Sequence, residues 1–163
     1  MKREEKAAIV CCSNGRRRSE EGKIQELERV LRKMGVVPVF SDRIYTEEGQ
    51  TGPTGRERAE ELMKFYRDDS IREIFDLSGG DIANEILPYL DYETIACSGK
   101  RFWGYSDLTA VINAVNCRTG NESVLYQVKN LVGEYKEVQR EAFRKYLFQE
   151  SDELTRFSCQ FIQ

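Results

Sequence analysis

Residues 7–12 read AAIVCC, an uninterrupted apolar run that stops against Ser13-Asn14-Gly15. A strand with one wet face alternates apolar and polar side chains, so a run that is apolar at every position needs both faces covered. Such a strand belongs in a parallel sheet, and parallel neighbours can be joined only by crossovers long enough to hold a helix. The chain supplies them. Ile24, Leu27, Val30, Leu31 and Met34 recur at helical spacing until Gly35. Val36–Phe40 predicts the next strand, and Pro38 makes it an edge or an irregular one.

The same alternation continues. Residues 46–55 form the longest polar, Gly-rich loop, and Thr54 with Glu57 makes a capping box. The helix predicted over 55–66 carries Ala59, Leu62, Met63 and Tyr66 on one face. A third strand is expected over 72–78, leading into Gly79-Gly80, and a short helix over 82–87. A strand over 101–105 follows, then a helix capped by Ser106 or Asp107 that buries Leu108, Val111, Ile112 and Val115. Residues 124–128 suit a fifth strand. A last helix over 134–148 is expected to turn Tyr135, Val138, Ala142 and Tyr146 inward. Strand–helix alternation of this kind predicts an α/β fold, a mostly parallel sheet with helices on both faces. Ligands of such sheets bind beyond the carboxyl ends of the strands. SNG, SGGDIA and GYSD all fall there.

Composition narrows the function classes. The 163 residues are 33% charged and 40% hydrophobic with a net charge of −3, without the basic excess that a nucleic-acid partner demands. Arg16-Arg17-Arg18 is followed at once by Glu20 and Glu21 and reads as a solvated face rather than a phosphate site. No apolar run approaches the ~18 residues of a membrane span, so no membrane partner is expected. The first residues lack the apolar segment of a signal peptide. The 5 cysteines form no CxxC pair and read as reduced cytoplasmic thiols. No metal site and no cofactor are expected: ligand spacing is absent, as are GxGxxG and Walker patterns. The chain contains 0 histidines. Ser-His-Asp and Cys-His chemistry therefore lacks its base within the chain. Hydrolysis here would need a lysine, a raised carboxylate, a metal, or groups from outside.

RERAEELMKFYRDDSIREIFDLSGGDIANEILPYLDYETI, followed by RFWGYSDLTAVINAV, resembles the amino-terminal domain of the LD-carboxypeptidase family of serine peptidases, in the branch of the microcin-immunity proteins. The matching elements are Arg58-Ala59, Asp68-Asp69, Gly79-Gly80, LPYLD and GYSD, in order. The resemblance runs from about Arg56 to Asn130, and more loosely from Ala7. It implies a flavodoxin-like three-layer domain that carries the nucleophilic serine. A second domain would supply a glutamate and the histidine. Family substrates are cell-wall tetrapeptides or peptidyl nucleotides, cleaved at their carboxyl-terminal amide bond.

Carried onto this chain, the position a few residues after the glycine pair is Ala83, so the resemblance implies a nucleophile position that is not competent. Gly79, Gly80, Asp81 and Asn84 would still form a turn that binds peptide, with the backbone of Asn84 and of Gly80 or Asp81 as oxyanion donors. Ser78 precedes the glycines. Ser106 reads as a helix cap rather than a substitute nucleophile, and Asp107 as a cap or turn partner that faces ligand. Trp103 reads as core, as do Cys11 and Cys12. Expected, then, is a domain over 1–150 followed by a tail or linker over 151–163 leading to a missing carboxyl-terminal domain. It would bind a peptide or muropeptide-like ligand in the cytoplasm. The alternative is a non-catalytic interaction module, or a subunit completed by another polypeptide. Phe157, Phe161 and Ile162, left uncovered, would favour a homodimer.

Overall fold

A computed structural model describes residues 5–46 and 52–148. The chain packs as two compact units, Met1–Val128 and Lys129–Gln163. The expected boundary at residue 150 lies outside the described residues. The expected tail, with Phe157, Phe161 and Ile162, lies outside the described residues.

In the first unit, β1 (Glu5–Val10), β2 (Val36–Phe40), β3 (Ile71–Asp76), β4 (Arg101–Gly104) and β5 (Ser123–Leu125) form one sheet in the order β2-β1-β3-β4-β5. Every pairing is parallel. This is the flavodoxin-like doubly wound order, whose crevice opens where the winding reverses, between β1 and β3. β1 is flanked on both sides, and Ala7, Ala8, Ile9 and Val10 are all buried, as the unbroken apolar run requires. Pro38 sits in β2 at the sheet edge, where a missing N–H costs no ladder bond.

The helices follow their predicted stripes with local exceptions. α1 (Glu21–Lys33) buries Ile24, Leu27, Val30 and Leu31. α2 (Gly55–Arg67) starts on the predicted capping box: Glu57 N–H donates to Thr54 Oγ1 at 3.3 Å and Thr54 N–H to Glu57 at 2.9 Å. Residues 83–89 are a 3₁₀ turn rather than an α-helix, with Pro88 inside. α3 (Tyr92–Ser98) had no apolar stripe to announce it, since Ile95 is its only buried residue. Asp91 caps it, accepting from Thr94 N–H at 3.0 Å. α4 (Thr109–Thr119) buries Val111, Ile112 and Val115. Ala59, Leu62, Met63 and Tyr66 of α2 pack with Ile95, with those α4 residues and with Ala8, Val10, Ile74 and Phe102 of the sheet in one cluster.

The second unit holds α5 (Lys136–Leu147), and here the expected stripe is corrected. Tyr135 and Val138 are 71% and 72% exposed, while Phe143 and Leu147, one helical turn apart, are buried. Trp103 is core, with Nε1 donating to Glu73 at 2.6 Å and its ring edge-on to Phe75 at 5.3 Å. Among the described residues no helix is long and apolar enough to cross a membrane.

The buried Tyr66 hydroxyl has no hydrogen-bond partner among the described residues, and burial pushes its pKa up. Tyr66→Phe keeps the ring and deletes an unsatisfied oxygen. Urea denaturation is expected to show stability unchanged or raised by about 1 kcal/mol. A loss greater than that would reveal a partner for the hydroxyl.

Candidate functional site

The carboxyl ends of β1, β3 and β4 meet in one mouth. Asp76 ends β3 and is fully buried. It accepts Cys12 N–H at 2.7 Å, and Ser78 N–H at 2.6 Å together with the Ser78 hydroxyl. Burial pushes its pKa up, against the pull of those hydrogen bonds. Ser78 Oγ accepts Ser13 N–H at 3.0 Å, tying the loop after β1 to the start of the glycine turn. A bridge between Asn14 and Gly79 continues the tie. Gly80 has φ +143°, and a Cβ there would lie 2.5 Å from Asn14 Cγ. The Asn14 side chain could swing aside, but the φ itself is one that L side chains rarely adopt, and it is this that calls for glycine.

Across the mouth, β4 ends at Gly104 and the chain turns sharply into the 3₁₀ turn Ser106–Leu108 and then α4. A Cβ at Gly104 would sit 2.6 Å from Leu108 Cβ, so the absence of a side chain lets the turn close. Ser106 takes φ +59°, the only positive φ outside glycine among the described residues. For a serine this conformation costs roughly 1–3 kcal/mol and survives only where its surroundings over-determine it. They do here. Thr109 Oγ1 donates to the Ser106 carbonyl at 2.6 Å, and Leu108 N–H to the Tyr105 carbonyl at 3.2 Å. Asp107 is held by the loops opposite: its Oδ2 accepts Ser13 Oγ–H at 2.6 Å and Ala83 N–H at 2.9 Å. Ser13 Oγ also accepts Ile82 N–H at 3.4 Å. Asp107 therefore caps no helix, and neither does the Ser106 side chain: the 3₁₀ turn and α4 start without a side-chain cap bond. The Ser106 hydroxyl is exposed and makes no hydrogen bond to the described residues.

Arg58, buried at 5% exposure, knits the third loop into the mouth. Its guanidinium donates to the carbonyls of Cys12 at 3.1 Å, Pro53 and Ile82 at 3.0 Å, and pairs with Glu85 at 2.8 Å. Beside this knot opens a cavity of about 900 Å³, lined by Ser13, Asn14, Arg17, Arg18, Arg58 and Asp81 among others.

The expected site residues come together, but their ranking changes. Gly80, Asp81 and Asn84 are exposed and Gly79 half-exposed, at the mouth and next to the GYSD turn. Ala83 is 0% exposed and belongs to the core cluster, with its N–H spent on Asp107. A side chain at that position lies within the core cluster. The exposed residue in a strained strand-to-helix turn is Ser106. Ser78 is buried and bound to Asp76, as a structural role requires. The N–H groups of Ile82 and Ala83 are occupied, which removes both from the pool of free donors at the turn. Among the described residues no cluster of Cys, Asp and Glu is placed to hold a metal ion.

Residues 7–126, nearly the whole first unit, match the family model described as the LD-carboxypeptidase N-terminal domain. The chain belongs to the LD-carboxypeptidase family. A Vibrio cholerae protein named as a carboxypeptidase is 38% identical over 95 residues, 56% of this chain and 28% of that protein. The microcin C7 self-immunity protein MccF of Escherichia coli is 39% identical over 67 residues, 41% of this chain and 20% of its own. An MccF-like protein from Bacillus anthracis shares the fold with a TM-score of 0.78 at 24% identity, over 89% of this chain and 45% of that one. The alignments thus span less than half the length of each of these relatives.

Asp107→Ala would strand the Ser13 hydroxyl and the Ala83 N–H in a half-buried site. It should destabilise the unit by about 1–3 kcal/mol in urea denaturation. Ser13→Ala should cost less, and the double variant less than the sum, because both break one bond. Strict additivity would show that the two residues are not coupled.

Proposed function

We propose that this chain contributes the nucleophile-bearing half of an LD-carboxypeptidase-type active site, and that Ser106 is the nucleophile. The observation that carries this is the exposed serine at φ +59° in a tight turn from a central parallel strand into a helix. That is the geometry of a nucleophile elbow, which lifts a serine Oγ clear of the sheet and into the crevice. The residue after such a serine commonly offers its backbone N–H to the developing oxyanion, here Asp107. The glycine turn faces it, and Gly80 or Asp81 would give the second donor. The reaction is attack of Ser106 Oγ on the carbonyl of a peptide's carboxyl-terminal amide. An acyl-enzyme forms, the terminal residue leaves as the amine, and water then releases the acyl group.

The base is the missing part. The chain has 0 histidines, and Asp107 already accepts two hydrogen bonds away from Ser106. A glutamate and a histidine from outside residues 1–163, as in the family's second domain, would complete the site. The substrate class is a cell-wall tetrapeptide or a peptidyl nucleotide. Solved MccF complexes hold glutamyl sulfamoyl guanosine and aspartyl sulfamoyl adenosine, aminoacyl nucleoside analogues of the second type. The absence of histidine also favours a second reading, in which this unit alone binds peptide without cleaving it.

The test combines the chain with the carboxyl-terminal domain of an LD-carboxypeptidase and follows release of the terminal residue of a tetrapeptide. The chain alone should show none. The mixture should turn over, and Ser106→Ala should lower its rate at least about a thousandfold. Ala83→Ser in that background should not restore it, because position 83 is buried. Full activity of Ser106→Ala would remove Ser106 from the mechanism. Saturable tetrapeptide binding without any turnover would favour the binding module.

A homodimer and a cytoplasmic setting accompany this proposal. Among the described residues Cys11, Cys12, Cys97 and Cys117 form no disulfide, which suits a reducing compartment. Sedimentation at micromolar concentration should give twice the chain mass; a monomer would exclude the dimer.

A further inference from the structure

The cavity beside the mouth carries an unexplained concentration of positive charge. The backbone of Arg16 is pinned to the segment after β2: its N–H donates to the Ile44 carbonyl at 2.7 Å, and its own carbonyl accepts Thr46 N–H at 2.9 Å. Gly15 makes this approach feasible, since a Cβ there would lie 3.1 Å from Thr46 Cβ and closer still to the hydroxyl. The Arg16 guanidinium pairs with Glu20 through one terminal nitrogen, while its Nε is buried without a partner among the described residues. The next two residues differ. Arg17 and Arg18 are exposed, line the cavity, and pair with no carboxylate among the described residues. Arg18 lies over the Tyr45 ring, 4.5 Å from its centroid. A stacked guanidinium keeps its in-plane N–H edge free for an oxoanion, while the stack removes much of the side chain's freedom.

The remaining lining fits the same ligand. Asn14 and Ser19 add hydroxyl and amide groups, and Thr46 Oγ1 faces the same segment, buried and without a partner among the described residues. The Arg58 guanidinium is already engaged by three carbonyls and Glu85. Asp81 on the rim is the one carboxylate among the described lining residues. About 900 Å³ is ample for a small organic anion. Ser13 lines this cavity and bonds Asp107, the neighbour of Ser106, so an occupant lies alongside the mouth.

We infer that the cavity is an oxoanion subsite, in which Arg17 and Arg18 grip a carboxylate or phosphate carried by the molecule whose amide reaches Ser106. The link to Ser106 rests on the function proposed above; the anion binding does not. The test is calorimetric titration of the Ser106→Ala chain at constant ionic strength with inorganic phosphate and with N-acetylglutamate. N-acetylglutamine amide serves as the neutral control. At least one oxoanion should bind with saturation at one site, and the neutral control should not. The Arg17→Ala and Arg18→Ala exchanges should each weaken binding about tenfold, as loss of a charge-assisted bond does. Arg72→Ala, an exposed arginine on β3, should leave it unchanged. Both arginines are exposed, and circular dichroism of the variants should match the parent chain. Phosphate binding alone would assign the subsite to a phosphorylated ligand, and carboxylate binding alone to an acidic peptide; either outcome supports the inference. Failure of both anions to bind, or equal binding by the double arginine variant, would overturn it. Because the titration uses the Ser106→Ala chain, the result is independent of whether Ser106 is a nucleophile. If Ser106 fails its own test while anion binding holds, the cavity stands as a binding site without that chemistry.

Discussion

The mouth of this sheet depends on the Arg58 guanidinium. Loops at the carboxyl end of a parallel sheet leave carbonyls with no ladder partner, and a buried carbonyl without a donor is costly. Arg58 reaches from the first turn of α2 and satisfies Cys12 after β1, Pro53 before α2 and Ile82 in the glycine turn. Its own charge, almost wholly buried, is balanced by Glu85, which stays half exposed. A lysine could not replace it, because a single ammonium cannot fan out to three carbonyls in divergent directions and a carboxylate. Removing it would leave those acceptors and Glu85 uncompensated at once. With it in place, Ser13 and Ile82 are close enough for the Ser13–Asp107–Ala83 bonds to form, and those in turn fix the residue next to Ser106.

A second buried cation does the same service away from the mouth. Lys100 Nζ donates to the carbonyls of Phe65, Tyr66 and Asp68, where α2 ends and its last carbonyls lack helical partners. Burial pulls its pKa down. Both cations sit where the chain leaves a regular element, so polar satisfaction at element ends, rather than surface ion pairing, orders the loops.

Much of this was legible in the sequence, for identifiable reasons. An unbroken apolar run admits few environments, so β1 and its parallel neighbours followed from residues 7–12. Thr54 and Glu57 announce a helix start by a local bond that needs no tertiary partner. Pro38 marks an edge because it lacks a donor. Other features were not legible. α3 is capped at Asp91 but buries little, so it leaves no periodic trace. α5 carries apolar residues at two rival registers, and only packing selects Phe143 and Leu147 over Tyr135 and Val138. The turn at Ser106 was the least legible. A glycine pair advertises a turn by its residue type, whereas the strain at Ser106 is a backbone angle on a residue that advertises nothing. Its neighbour Asp107 looks like a helix cap in sequence and becomes a clamp only when Ser13, 94 residues away along the chain, comes within 2.6 Å.

That clamp bears on how the chemistry must be divided. Three carboxylates of the mouth are already committed: Asp107 to Ser13 and Ala83, Asp76 to Cys12 and Ser78, Glu85 to Arg58. Turning any of these three to take a proton from the Ser106 hydroxyl would break the bonds that hold the turn. A mouth built this way is rigid because its polar groups serve one another. On the proposed function, the unit supplies what must be preorganised: the strained serine, the backbone donors and the arginine pair. The group whose protonation must change during the reaction is then best carried on a separate element, where titrating it does not loosen the site that positions the substrate.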